Sequence, residues 1–460
     1  MSRFVILSII GCLAVATPRA QAQAAPIYYL DLSQQTLALP DRAVQVEQVV
    51  DGRVGQPAIG LVYRGLQNRQ APVLFQRGLE TELTAWLRQQ LPARPTDHAV
   101  VLCVRQLLVG EVLNGLSERA SADLTADVYA RLPDGYHFVR SVASHTSTRA
   151  LETTLYHAPH VATLLQQCLA QLAEVDWNQA ARRPARTLAQ LAADKPLAVA
   201  RPAIVRAASP RRGVYFSFAQ FLANRPDTVT ELRLITHRTL NPGWEGTTLC
   251  EASLRNADGR VPKREVWGVS DGRQAYVRQR GNYRPLNPQA DFFTFVGAAP
   301  RDVAAMNRRA ENYALWGPVG AAMTNNRNDT TGKPTVYALN MFTGETTLYP
   351  PPGQIPRPDT AFIYVYRPLG GASAPCRLLL NDHEVAQLRP GEYQELAWPH
   401  FAHVVRLAVG TPGGAALLLV PNAAAANYIK LGDDPVATPW QWMPRRQGEA
   451  EVDALDRLRK

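Results

Sequence analysis

Apolar and polar positions change period several times along the chain, and each change marks an element. Residues 44–50 alternate as a half-buried strand does. Leu79, Leu83, Trp86, Leu87 and Leu91 then recur near the 3.6-residue period, which predicts a helix over 73–91 that Pro92 and Pro95 stop. Residues 99–109 are apolar on both faces, as a central strand is. Over 121–130 strict alternation returns: Ala122, Leu124, Ala126 and Val128 face a core, while Ser121, Asp123, Thr125 and Asp127 face water. Pro133-Asp134-Gly135 supplies a turn and 136–144 the returning strand. Val161, Leu164, Leu165, Cys168, Leu169 and Leu172 form the stripe of a second helix. The order β-α-β-β-β-α makes residues 40–178 one α+β domain.

Residues 179–212 break this pattern. They are rich in proline, alanine and arginine and read as an exposed, semi-rigid linker. Over 213–296 β signals return, with strands at 228–236, 247–255 and 265–269. Asp258-Gly259 and Asp271-Gly272 are hairpin turn pairs, because glycine accepts the positive φ such turns need. Residues 297–358 form a connector with a hairpin over 337–349. Within it, 313–323 are apolar but only eleven residues long, short of the ~20 that a membrane-spanning helix needs. Short strands from 361 to 431 have the spacing of an all-β sandwich over 359–443, and 444–460 read as a charged tail. The expected fold is therefore multidomain: an α+β N-terminal domain, a β-rich middle domain and a C-terminal all-β sandwich.

The first 22 residues carry an address. Arg3 precedes an apolar run over 4–16, and Ala20-Gln21-Ala22 offers the small-x-small pattern of a cleaved signal peptide. Ile9-Ile10-Gly11-Cys12 also fits a lipobox, so an outer-membrane lipoprotein lipidated at Cys12 stands as the alternative. Either reading exports the chain to the periplasm or beyond, and no later apolar run is long enough to span a membrane.

The formal net charge of +10 suggests a nucleic-acid partner until it is located. Arg182, Arg183, Arg186, Lys195, Arg201, Arg206, Arg211 and Arg212 crowd one segment, opposed only by Asp194. The rest of the exported chain is close to neutral, so no folded domain offers a phosphate-binding face and no nucleic acid is expected. The basic linker instead suits an anionic envelope surface, or serves as a solvated spacer.

Three stretches resemble known families. Val50-Asp51-Gly52-Arg53 with Ile59-Gly60 resembles the start of bacterial envelope lipoproteins of the YajG kind, which continue into a helix and a short antiparallel sheet. The Trp267-Gly268, Asp271-Gly272, Tyr276 hairpin is similar to exported bacterial proteins of unknown function. The Ile363-Tyr364-Val365-Tyr366-Arg367-Pro368 strand, with its Asn381-Asp382 turn and Gly391-Glu392-Tyr393, is similar to a PEGA-like domain of unknown function. These resemblances imply an envelope location and carry no mechanism.

No nucleophile elbow, P-loop or dinucleotide fingerprint is present, so no catalytic, cofactor-binding or metal residue is assigned. His157 and His160, and His400 and His403, stand three apart, a spacing that can serve a metal. Neither pair has an acidic neighbour in its own segment, and Pro159 interrupts the first. Three Asp-Gly-Arg triplets, at Asp51, Asp258 and Asp271, are accounted for by turn chemistry. Cys103, Cys168, Cys250 and Cys376 form no CxxC pattern. They read as small buried hydrophobes, with a Cys103–Cys168 disulfide as the alternative.

Two functions stay open on these grounds. One is a non-enzymatic exported envelope protein that binds or scaffolds other cell-envelope components. The other is a periplasmic hydrolase, or other enzyme, whose site is assembled from distant residues. Processing is directly testable: intact-mass analysis of the exported protein should give a chain starting at Gln23. A diacylglyceryl-modified Cys12 would replace this reading with the lipoprotein.

Overall fold

The computed structural model describes residues 27–459 apart from 54, 56–57, 65–67, 115–116, 194–200, 242, 324–328, 351–359, 371–373, 401, 411–413 and 433–439. The signal peptide and the lipobox at Cys12 lie outside the described residues.

Three long antiparallel strands, His98–Asn114, Ser117–Leu132 and Gly135–Ala150, form the centre of an eight-stranded N-terminal sheet. Val44–Asp51 runs parallel to the first half of His98–Asn114, and Gly60–Arg64 parallel to its second half. The helices Leu79–Gln90 and His157–Ala170 bury Leu83, Leu87, Val161 and Leu165 against one face, where they meet Leu102, Val104, Ala122, Leu124 and Ala126. Gly60 is fixed by a close approach: a Cβ there would lie 1.7 Å from the Val109 carbonyl oxygen.

Several expectations change. The first helix begins at Leu79 and not at 73, because Arg69–Leu74 is a strand paired with Gly60–Arg64 and, in parallel, with Tyr28–Tyr29. Their polar and glycine content hides both strands from a periodicity reading. Asp123 and Asp127 do not face water but are 1% and 2% exposed, since the second face of the sheet is covered as well. Part of that cover comes from the segment read as a linker. Leu191 packs with Val50, Val101, Cys103 and Tyr129, and Ala185–Arg186 adds a short strand beside Tyr136 and His137. Ile204, further along, is buried among Tyr215, Phe221 and Phe295 of the next unit. A few large apolar residues anchor a stretch whose average composition is that of a spacer.

The second unit holds a six-stranded sheet, running in space from Glu231–Arg238 to Gly213–Tyr215, and a four-stranded sheet. The latter contains Phe293–Ala298 paired with Pro334–Leu339, which pairs in turn with Thr346–Leu348. The hairpin assigned to a connector therefore completes this unit. Between its strands the chain makes the helix Val303–Met323, broken at Gly317, where φ is 61°.

Two four-stranded sheets form the third unit and share one core. Ile363, Val365 and Ile429 come from one sheet, and Leu378, Leu407 and Leu419 from the other. Residues 444–460 are no loose charged tail. The helix Arg445–Arg459 lays Val452 and Leu455 on Tyr366 and Tyr428, covering the outer face of the first sheet. Gly448 permits that contact, because a Cβ there would lie 2.3 Å from the Tyr428 Cβ. Gly448, Val452 and Leu455 share one helical face, a pattern obscured by the charges around them.

Ile363 is fully buried, so Ile363→Asp should destabilise the third unit by about 3–5 kcal/mol, since an unpaired charge enters the core. His403 is exposed, and His403→Ala should stay within about 0.5 kcal/mol of the parent. Urea unfolding followed by tryptophan fluorescence distinguishes the two.

Candidate ligand groove between the second and third units

The histidines of interest in the sequence go to different places. His157 is fully buried, with Nε2 2.6 Å from Glu111 Oε1, while Glu111 Oε2 accepts the Tyr63 backbone N–H at 2.7 Å. His160 Nε2 lies 2.9 Å from Thr148 Oγ1. Burial, with the charges of His157 and His145 adding to it, brings the His160 pKa down to about 4. Pro159 sits in the first helical turn, where no backbone N–H is required. Glu111 supplies the acidic partner that the local sequence lacks, from a strand 46 residues away. Glu111 meets only His157 while His160 is taken by Thr148, and no group of three or more His, Cys, Asp or Glu side chains placed to hold a metal occurs among the described residues. His400 and His403 are exposed, with ring centroids 6.1 Å apart.

The triplets divide by role. Asp258 and Asp271 accept backbone N–H groups of their own turns, as expected. Asp51 likewise accepts the Arg53 backbone N–H, at 3.2 Å, and in addition binds the Arg53 side chain in a fork, with Nε–Oδ1 and Nη2–Oδ2 both at 2.8 Å. Gly52 between them cannot carry a side chain without meeting Cys103 Sγ and Arg105 Nη1 at 2.6 Å. Nearby, Arg105 Nε donates to Asp127 at 2.7 Å, and Asp123 lies 2.9 Å from His145. The four described cysteines are free thiols. Cys103 lies in the cluster with Leu191 and Cys168 in the helix-covered core, so the sheet separates them.

A larger site forms where the second and third units meet. Trp244, Val296 and Val336 share a small core with Leu418 and Val420. Asn287 Oδ1 accepts the Val420 N–H at 3.0 Å, and Gln289 Nε2 donates to the Val420 carbonyl at 3.2 Å. Beside this seam lie two cavities, of about 600 and 450 Å³, that share Arg273, Gln274 and Trp442 as lining. Together they make one groove.

Its walls are cationic and aromatic. Arg201, Arg206, Arg273, Arg445 and Arg446 line the larger cavity, all exposed, and none is paired with a carboxylate among the described residues. No acidic residue lines that cavity among the described residues. Its floor includes Ile204, Leu286, Phe293 and Met443. In the smaller cavity, Trp440 and Trp442 project from the strand Trp440–Met443, where the two-residue period puts both on one face. The Arg284 guanidinium stacks 4.5 Å from the Trp244 ring centroid, and burial lowers its pKa. Arg284 Nε and Trp440 Nε1 are buried donors without a hydrogen-bond partner. Asp271 is the single acidic lining residue described there, and its oxygens already accept from two backbone N–H groups and the Tyr276 hydroxyl. Cys250 also lines this cavity, but burial pushes its thiol up to about 11, so it is no ready nucleophile.

Sequence reading missed this groove because its residues come from four distant segments. The available signals were the arginine cluster before Gly213 and the Trp440-Gln441-Trp442 spacing.

Residues 213–349 match a family of unknown function, DUF6563. No curated protein and no solved structure matches the chain. The matched stretch covers the second unit, including the hairpin through Leu348, and contributes Arg273, Gln274 and Arg284 to the groove.

The buried His160 generates a pH prediction. Its pKa lies near 4 in the folded state against 6.5 ordinarily, so the unfolded chain binds the extra proton between those values. The associated stability is present above pH 6.5 and is lost as pH falls through about 4, a change of about 3 kcal/mol. His160→Gln does not titrate and should flatten the acid limb of a urea-midpoint profile by that amount. Parallel profiles for the two proteins would sink this assignment.

Proposed function

We propose that this is an exported cell-envelope protein that binds without catalysing, and that it holds an acidic envelope glycan in the groove between its second and third units. The observation that carries this reading is the pairing of tryptophan faces with unpaired arginines along one surface. Indole faces suit the apolar faces of sugar rings, and guanidinium groups suit carboxylates or phosphates on them. The two unpartnered buried donors would gain acceptors from such a ligand. The sequence features resembling YajG-like and PEGA-like envelope proteins support the same location. Among the described lining residues of the two cavities there is no histidine, and the thiol and carboxylate present are a protonated buried cysteine and a turn-capping aspartate. That chemistry favours holding a ligand over cleaving one.

Isothermal titration with a uronic-acid oligosaccharide, against a neutral glucan of equal length, tests the reading. Binding should be confined to the acidic oligomer. Trp442→Ala should weaken it about tenfold or more through lost stacking. Arg273→Gln should weaken it about fivefold or more and make the salt dependence shallower. Equal binding of the neutral glucan, or indifference to Trp442→Ala, would refute the proposal.

A further inference from the structure

The helix Val303–Met323 is at odds with its surroundings. Among its described side chains only Val303 and Ala305 are buried. Met306, Tyr313, Leu315, Trp316 and Val319 are 39%, 56%, 73%, 74% and 64% exposed. Helices in water owe most of their stability to an apolar face packed against something, and isolated short helices are marginal. This one places its largest apolar side chains in solvent, around the bend at Gly317. Its start is held firmly: Asp302 accepts the Ala305 N–H at 2.9 Å and the Thr330 N–H at 3.1 Å. A fixed base therefore presents an apolar end.

The order of residues along the axis says what covers that end. Arg308 and Arg309, both exposed, precede Tyr313, and from Tyr313 to Met323 no charged residue occurs. At 100° per residue up to the break at Gly317, Arg308 falls on the side of Leu315 and Arg309 on the side of Trp316, with the exposed Glu311 about 40° from Leu315. The helix thus changes from a charged, net basic turn (Arg308, Arg309 and Glu311) to an apolar end, with tyrosine and tryptophan at the boundary. That is the sequence of environments met on entering a lipid leaflet: anionic head groups, an interface that favours Tyr and Trp, then acyl chains. A second protein surface would not require this gradient. At helical rise on either side of the Gly317 break the apolar stretch amounts to about 16 Å, enough to enter one leaflet and too short to cross both.

We propose that this helix docks the protein on an anionic lipid surface, with Leu315, Trp316 and Val319 inserted and Arg308 and Arg309 at the head groups. The site is separate from the groove. It also gives the protein a means of membrane attachment that does not depend on lipidation at Cys12.

Vesicle flotation tests it with the protein from Gln23 onward, which keeps every described residue and lacks the apolar run over 4–16. The protein should float with phosphatidylglycerol-containing vesicles. Leu315→Ser with Trp316→Ser should weaken binding about tenfold or more, since both side chains leave the apolar phase. Arg308→Gln should weaken it about fivefold on anionic vesicles and leave weak binding to neutral vesicles unchanged. All variants should unfold at the parent's urea midpoint, because the replaced side chains are exposed. No flotation of the parent protein, or flotation that the double variant does not alter, would overturn the proposal. Sedimentation supplies the other decisive outcome: a dimer that the double variant dissociates would make this helix a contact between copies and not a lipid anchor.

Discussion

The arrangement of the second and third units rests on Asn287. It is 4% exposed at the edge of one sheet, and its side chain accepts the Val420 N–H while Gln289 donates to the Val420 carbonyl. The two side chains satisfy a strand end of the neighbouring unit much as another strand would. Ala416 N–H to the Gly246 carbonyl, at 2.9 Å, and Arg406 Nη1 to the Glu245 carbonyl, at 2.7 Å, extend the seam. Leu418 and Val420 then reach Trp244 and Val296. A buried backbone group left without a partner costs about 1–3 kcal/mol, so the seam has one satisfied register and costly alternatives. Trp440, Trp442, Arg273 and Arg284 face a common space only while that register holds.

The N-terminal domain solves a different problem. Its long central strands carry many alanines, and Ala120, Ala122, Ala126 and Ala130 give little shape by which to distinguish one pairing from the next. A slip of one residue would exchange the two faces of the sheet. Buried polar pairs on both faces oppose that. Glu111 meets His157 on the helix-covered face, while Asp127 meets Arg105 and Asp123 meets His145 on the other. Buried pairs add little net stability over apolar packing, but splitting one is expensive. Their contribution here is to register, and it does not require catalysis to explain it.

Much of the fold was legible where the period was long and clean. The second helix, the alternating strand with Leu124, and the paired Asp-Gly turns follow directly from residue pattern. Other elements were concealed by local composition. Gly60–Arg64 and Arg69–Leu74 lack an apolar stripe, and Leu191 and Ile204 stand alone in a proline- and arginine-rich stretch. Val452 and Leu455 are surrounded by charges. Each buries one or two side chains against residues far away in sequence, and a window of neighbouring residues holds no record of that. The same limit governed chemistry. Spacing singled out His157 and His160, but Glu111 and Thr148, their partners, come from strands. The groove was illegible as a site because no single segment contributes more than a fragment of it.

The basic segment shows how placement changes the meaning of charge. As composition, the arginines before Gly213 raise the formal net charge and suggest a polyanion bound along a flexible spacer. In the fold, Arg183 is tied down by the Phe138 and Val139 carbonyls and stacks 5.0 Å from the Phe138 ring centroid, so it serves the N-terminal domain. Arg201 and Arg206 flank Ile204, whose burial in the second unit's core turns that short helix into a wall of the groove. Arg445 and Arg446, from the first turn of the last helix, line the same cavity. Like charges gathered from two segments without acidic compensation repel one another, and that repulsion is relieved by an anion between them. What the sequence presents as a surplus of charge in a linker becomes, once Ile204 and Met443 are buried, a concentration of positive potential at one concave site.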